Sequence, residues 1–252
     1  LDEWAKVANI QFIELDENAG LYGTIRFGFT DHDKGDLTAG WATSPGTSAK
    51  DGDIWLKAEE ISEPFSRGIS YNFQTLLHEI GHALGLDHAF EGSDIIDSSL
   101  NVRNYTLLSF TDPENSHFWD NSGNYQYLVS STPMVYDIAA IQYLYGAASN
   151  NKGDTIYTYD PNQPFVEAIW DSGGYDTIDL SVFSENCTIN ILPGTYSTIA
   201  CDEWSMDNNL GIAQNVVLEK VMAGSGNDAI IGNSADNHLI GNAGNDIISG
   251  SL

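Results

Sequence analysis

Residues 78–88 read His-Glu-Ile-Gly-His-Ala-Leu-Gly-Leu-Asp-His, and this run constrains the fold more than any other part of the chain. Around it, Phe73, Leu76, Leu77, Ile80 and Leu84 recur at the spacing of an amphipathic helix with one buried stripe. A helix over 73–84 stacks His78 and His82, four residues apart, on a single face. Gly85 then supplies the left-handed residue that ends such a helix, and the chain doubles back to deliver His88 to the same point. Three imidazoles placed this way make an open tetrahedral zinc site whose fourth position is left for water. Glu79 neighbours a ligand without being one, so its carboxylate is placed to take a proton from a water that attacks a carbonyl. The implied chemistry is peptide hydrolysis without a covalent intermediate.

The 252 residues suffice for one large domain or two smaller ones, with a sizeable core. With 9 basic and 36 acidic residues the formal charge is −27, which argues against nucleic acid as a partner because the phosphate backbone would be repelled. So acidic a surface suits an extracellular protein, or one whose charge is offset by bound calcium. No apolar run reaches membrane-spanning length, so no membrane partner is expected. The opening LDEWAKVANI lacks a signal-peptide pattern and reads as the last turns of a helix through Trp4, Val7 and Ala8, so a processed N-terminus is expected. Cys187 and Cys201 flank a β-like segment with a Pro193-Gly194 turn; a disulfide and a pair of free buried thiols are both open.

Residues 10–29 alternate as two strands, IQFIEL and YGTIRFGF, and 31–52 read as loop. Asp53, Ile54, Trp55 and Leu56 form a short strand before the zinc helix, where a sheet edge would bind an extended substrate through its backbone; an ordinary paired strand is the alternative. Residues 111–132 read as polar loop, and 137–145 as a helix ended by Gly146, with Ile138, Ile141, Gln142 and Tyr145 on one side. A boundary falls near Ala148, where the texture changes to short strands and Gly/Asp turns. The last stretch repeats every nine residues: GSGNDAIIG from Gly224, NSADNHLIG from Asn233, NAGNDIISG from Asn242. This approximates the pattern of calcium-binding parallel β-rolls, in which each repeat is a glycine-rich turn plus a short strand. Turns on one side are then two repeats apart, so Asp228 and Asp246 can share an ion, while Asn237 breaks the pattern on the other side.

Together, HEIGHALGLDH and the nonapeptides resemble the serralysin group of metzincin metallopeptidases, with further matches at WDSGGYDTIDLS (170–181), DIAAIQYLYGA (137–147) and GDTIY (153–157). The resemblance implies an α+β chain: a metzincin-like zinc catalytic domain over 1–148, N-terminally incomplete, followed by an all-β parallel β-roll over 149–252, C-terminally short. It implies a secreted bacterial zinc endopeptidase of broad specificity, stabilised by several Ca²⁺, that acts as a monomer on peptide or protein substrates and is open to a proteinaceous inhibitor. Zinc would bind His78, His82 and His88, with Glu79 as base. Calcium positions carry over onto Asn151, Gly153, Thr155, Asp171, Gly173, Gly174 and Asp176. A second group is Glu219, Gly224, Gly226, Asp228, Gly241, Ala243 and Asp246. At the family's methionine turn, Ser-x-Met-Ser-Tyr, the segment matching in context puts Leu108 for the methionine and Phe110 for the tyrosine. The rival Met134-Val135-Tyr136 has the spacing but abuts the 137–145 helix. Losing the tyrosine hydroxyl implies slower turnover, and a weak or narrowly selective relative, or a calcium-dependent binding module, is the alternative function.

Overall fold

The computed structural model describes residues 1–31, 39–58, 65–91, 96–120, 122–202 and 204–250. Helices and strands are mixed, making an α+β chain. Helix α1 (Asp2–Val7) buries Trp4 and Val7, and the Trp4 indole N–H donates to the Leu77 carbonyl at 3.2 Å. The expected second helix is α2 (Tyr71–Ala83), whose N-terminus is capped by the Ser70 side chain accepting from the Phe73 N–H. Its end is a Schellman turn: Gly85 has φ +102°, its N–H donates to His82, and the Leu86 N–H donates to Gly81. Helix α3 (Val135–Tyr145) begins two residues before the apolar pattern and ends at Gly146, φ +81°.

Strands β1 (Arg26–Thr30), β2 (Gly40–Ala42) and β3 (Asp53–Lys57) form one sheet in the order β1-β3-β2. The edge expected at Asp53–Leu56 is therefore the middle strand, parallel to β1 and antiparallel to β2. Its side chains have structural duties: Asp53 holds the Arg26 guanidinium at 2.7 Å, Ile54 and Leu56 are buried, and Trp55 packs where Gly28 lacks a Cβ. Among the described residues the edges are β1 and β2, and β2 lies inside the stretch read as loop. Of the strands expected over 10–29, only β1 forms; Ile13 and Leu15 are exposed, because alternation alone does not provide a pairing partner. The polar stretch 111–132 carries a hairpin, β4 (His117–Trp119) antiparallel to β5 (Tyr125–Tyr127).

The second half is strands and turns. β7 (Glu167–Ile169), β10 (Tyr196–Ser197) and β11 (Leu210–Ile212) form a sheet in the order β10-β11-β7. It packs on α3: a Cβ on Gly211 would stand 2.6 Å from the Val135 side chain, so only glycine lets the helix start seat there. Two further sheets hold the repeats. One orders β14 (His238–Ile240), β12 (Lys220–Met222), β8 (Thr177–Asp179) and β6 (Ile156–Thr158); the other orders β15 (Ile247–Ser249), β13 (Ala229–Ile231) and β9 (Thr188–Asn190). Every ladder in these two is parallel, with Val221 opposite Leu239 and Ile230 opposite Ile248, so repeats two apart pair. Strands β6, β8 and β9 extend the ladders into sequence without nonapeptide spacing. Cys187 and Cys201 are both free and buried. One cluster of buried residues includes Ile54, Ile80 and Ile138 from the first half and Ile169, Ile212 and Val221 from the second.

Candidate metal centre and substrate cleft

His78 and His82 rise from α2, and the Schellman turn returns the chain so that His88 joins them. Their Nε2 atoms lie 3.0, 3.1 and 3.3 Å apart. The opposite ring nitrogens settle the tautomers. His78 Nδ1 lies 2.7 Å from the Leu107 carbonyl and His82 Nδ1 2.7 Å from the Leu86 carbonyl. A carbonyl only accepts, so both Nδ1 atoms carry the proton. His88 Nδ1 faces the Glu91 carboxylate at 3.1 Å. The Nε2 lone pairs of His78 and His82 are thus aimed at each other and at His88, which is repulsive without a shared cation. Zinc bound at about 2.0–2.1 Å to each nitrogen of a tetrahedral site sets them roughly 3.4 Å apart, close to the spacing seen, so the residues fit this metal. Burial, then His82, pushes His78 down to about 3, and burial lowers His82 as well, keeping both in the neutral form that binds metal.

Glu79 is buried and lines the same cleft. Burial raises its carboxyl to about 8 against the opposing hydrogen bond from the Ala42 backbone, while Oε2 has no protein partner. A buried carboxylate oxygen without a donor fits a place for a water and a neighbouring cation. The cleft holds about 540 Å³ and is lined by Gly40, Trp41 and Ala42 of β2 together with Tyr71, Gln74, Arg103, Leu107 and Phe110.

The floor is the turn after Tyr105. Leu108 is buried against α2 at Gly81, where an added Cβ would meet the Trp4 ring at 3.1 Å and Leu108 at 3.4 Å. Phe110 is exposed, its ring 5.7 Å from that of His78 and 4.7 Å from that of His88. Met134 instead lies at the N-cap of α3, whereas Phe110 lies beside the histidine rings and Leu108 beneath Gly81 of the helix that carries two of them. Sequence reasoning missed Asp137. Its Oδ2 accepts from the Leu107 N–H at 2.7 Å and the Met134 N–H at 2.8 Å, and its Oδ1 pairs with the Thr106 hydroxyl at 2.7 Å. Burial raises it to about 6 despite these bonds. An acid in the first turn of an apolar helix was the available signal. The β2 edge had a weaker one, a lone Trp41 among small residues.

The expected calcium positions fall into two groups of stacked turns. In the first, Asp171 accepts from the Tyr157 hydroxyl and the Gly173 N–H, and the Asp176 N–H donates at 2.7 Å to Glu219, which the resemblance places with the second group. Asp176 Oδ1 accepts from Thr155, while its buried Oδ2 has no partner; burial first, then Asp171 and Glu219, raise its carboxyl to about 6. Asn151 has φ +51°, and a Cβ on Gly174 would stand 2.6 Å from the Gly153 carbonyl. In the second, Asp228 accepts from the Cys187 and Gly224 N–H groups, and its own N–H donates to Asp246, eighteen residues on. Gly226 and Gly241 approach backbone and Asp246 too closely to carry a Cβ, whereas Ala243 is exposed. The orphaned Asp176 oxygen, with Asp171 and Glu219 nearby, is of the oxygen-donor type that Ca²⁺ takes. Asn237 donates instead to the Leu218 carbonyl and pairs with Asn233, so an amide network stands at the repeat position that Asp228 and Asp246 occupy in the other turns.

A helix carrying two histidines and a glutamate, a glycine return to a third histidine, and a buried turn beneath them define a metzincin centre. A family model described as Met-zincin matches residues 73–156, one described as Matrixin matches 1–114, and one for the serralysin C-terminal region of M10 peptidases matches 134–250. The chain is 36% identical to metallopeptidase AprA of Pseudomonas marginalis over 94% of its own length and 53% of that protein's. It is 33% identical to serralysin of Proteus mirabilis (95% and 53%) and 34% to serralysin B of Dickeya chrysanthemi (92% and 51%). The chain belongs to the serralysin-like metzincins. It spans about half the length of the curated relatives it matches.

Proposed function

We propose that the chain is a zinc-dependent endopeptidase, and the convergence of three Nε2 atoms beside the buried Glu79 carries this reading. Zinc held by His78, His82 and His88 would supply Lewis-acid polarisation of the scissile carbonyl and a more acidic water. Glu79, fixed by the Ala42 N–H, takes the proton of the attacking water and passes it to the leaving amine. The cleft runs beside β2, so an extended substrate would lie along that strand. Phe110 packs beside the histidines without offering a hydroxyl to the reacting oxygen.

The division at Ala148 gives a catalytic domain over 1–148 and a calcium-stabilised parallel β-roll over 149–252. Parallel pairing of alternate repeats and the orphaned Asp176 oxygen support the roll and its ions. Extracellular action by a secreted bacterial enzyme suits the acidic surface, and no helix among the described residues is long and apolar enough to cross a membrane. Glu79→Ala is expected to abolish casein hydrolysis with one zinc still bound per chain. Undiminished hydrolysis would remove Glu79 from the mechanism.

A further inference from the structure

The β4–β5 hairpin presents one face whose four side chains are all rings. Cross-strand register places His117 opposite Tyr127 and Trp119 opposite Tyr125, and in an antiparallel pair opposed residues share a face. Trp119, Tyr125 and His117 are exposed. Neighbouring centroids are spaced 5.0 Å from Trp119 to Tyr125, 5.1 Å from Tyr125 to His117, 4.8 Å from His117 to Tyr127 and 6.0 Å from Tyr127 to Tyr71. Tyr71 lines the zinc cleft, so the row of rings runs from the cleft onto the hairpin tip without a break.

We infer that this aromatic face is an exosite that holds a lysine- or arginine-rich segment of the polypeptide whose neighbouring residues occupy the cleft. The inference rests on the peptidase reading of the cleft. The faces of Trp and Tyr rings attract cations. The row already hosts one: the Arg103 guanidinium lies 5.4 Å from the Tyr71 centroid. That charge is answered by Asp112. Asp120, beside Trp119, accepts from the Asn124 N–H and the Gln126 amide, and those bonds hold its carboxyl down to about 2, so it stays ionised. The whole chain carries −27, which favours a cationic partner at long range and opposes an anionic one. An extended peptide repeats its same-face side chains at about 7 Å, so alternate basic residues can each meet a ring of the row.

The test uses the full chain carrying Glu79→Gln, loaded with zinc and calcium, so that the probe is bound and not cut. Two peptides share one cleft-binding sequence and differ in an extension of four lysines or four serines; affinity is read by calorimetry at low and physiological salt. The lysine peptide is expected to bind about 10-fold tighter, an advantage that shrinks with salt. Trp119→Ala with Tyr125→Ala is expected to remove that advantage and leave the serine peptide unchanged. Tyr125→Leu, which keeps an apolar residue in the hairpin, provides the same comparison if the double variant fails to fold. Equal binding of the two peptides, a lysine preference that survives the variants, or tighter binding of a neutral chitohexaose would overturn the inference. Absence of proteolysis in the parent chain leaves this readout intact, so the two readings fail separately.

Discussion

Asp137 links the floor of the cleft to α3, and two substitutions there have opposite expected outcomes. Alanine removes the acceptor for the Leu107 and Met134 N–H groups and the partner of the Thr106 hydroxyl, all buried. At about 1–3 kcal/mol for each orphaned buried donor, and with the hydroxyl able to turn elsewhere, Asp137→Ala is expected to cost about 3–5 kcal/mol. Asparagine keeps an oxygen for the two N–H groups and offers an N–H₂ to Thr106, so it mimics the protonated acid. The folded-state carboxyl sits at about 6, above its ordinary 3.8, so its contribution is fully present below 3.8 and is lost as pH rises through 6. The loss approaches roughly 3 kcal/mol for a shift of about two units. Asp137→Asn should therefore match the parent near pH 4 and exceed its stability at pH 7.5. Urea unfolding of the three proteins with saturating zinc and calcium, at both pH values, measures this. Zinc competition should show affinity about 10–100-fold lower in the alanine variant, because the Leu107 carbonyl that orients His78 is then unanchored. An alanine variant within 1 kcal/mol of the parent would refute the reasoning, as would an asparagine variant less stable than the parent at pH 7.5.

Phe110→Tyr is expected to raise kcat on a peptide substrate by about 10-fold without changing zinc content, since it restores a donor beside the reacting oxygen; unchanged kcat would remove position 110 from the rate. Calcium chelation is expected to lower Tm, and the calcium-dependent gain should grow as pH rises through about 6, where Asp176 ionises among its acidic neighbours; a Tm insensitive to chelation would refute the ion sites. Gly81→Ala forces a methyl against Trp4 and Leu108 and is expected to cost about 1–3 kcal/mol in urea unfolding; an unchanged unfolding midpoint would refute the tight fit at this position.

The zinc helix, its glycine return and the alternate pairing of repeats were legible because each depends on spacing within a short window. His78, His82 and His88 needed only the helical period and one left-handed residue. The order of the first sheet was not legible. Asp53–Leu56 reads the same whether a strand has one neighbour or two, and the deciding partner, Gly40–Ala42, is only three residues long. The hairpin was hidden because His117–Trp119 and Tyr125–Tyr127 are separated by a polar turn and embedded in polar sequence. The role of Asp137 was hidden because its donors at Thr106 and Leu107 lie about thirty residues away in the chain. Strands β6, β8 and β9 carry the repeat geometry without the repeat sequence, so their place in the ladders follows from tertiary pairing alone.

The glycine at 211 has a consequence for anyone who would recombine such proteins. Val135 sits in the dent it leaves, and two residues later Asp137 grips the turn under the histidines. A chimera that joined this catalytic half to a foreign sheet with any larger residue at that position would push the helix outward, and the misfit would be passed by rigid leverage to the hydrolytic machinery. Swapping modules in this architecture therefore requires transplanting the dimple along with the helix that rests in it.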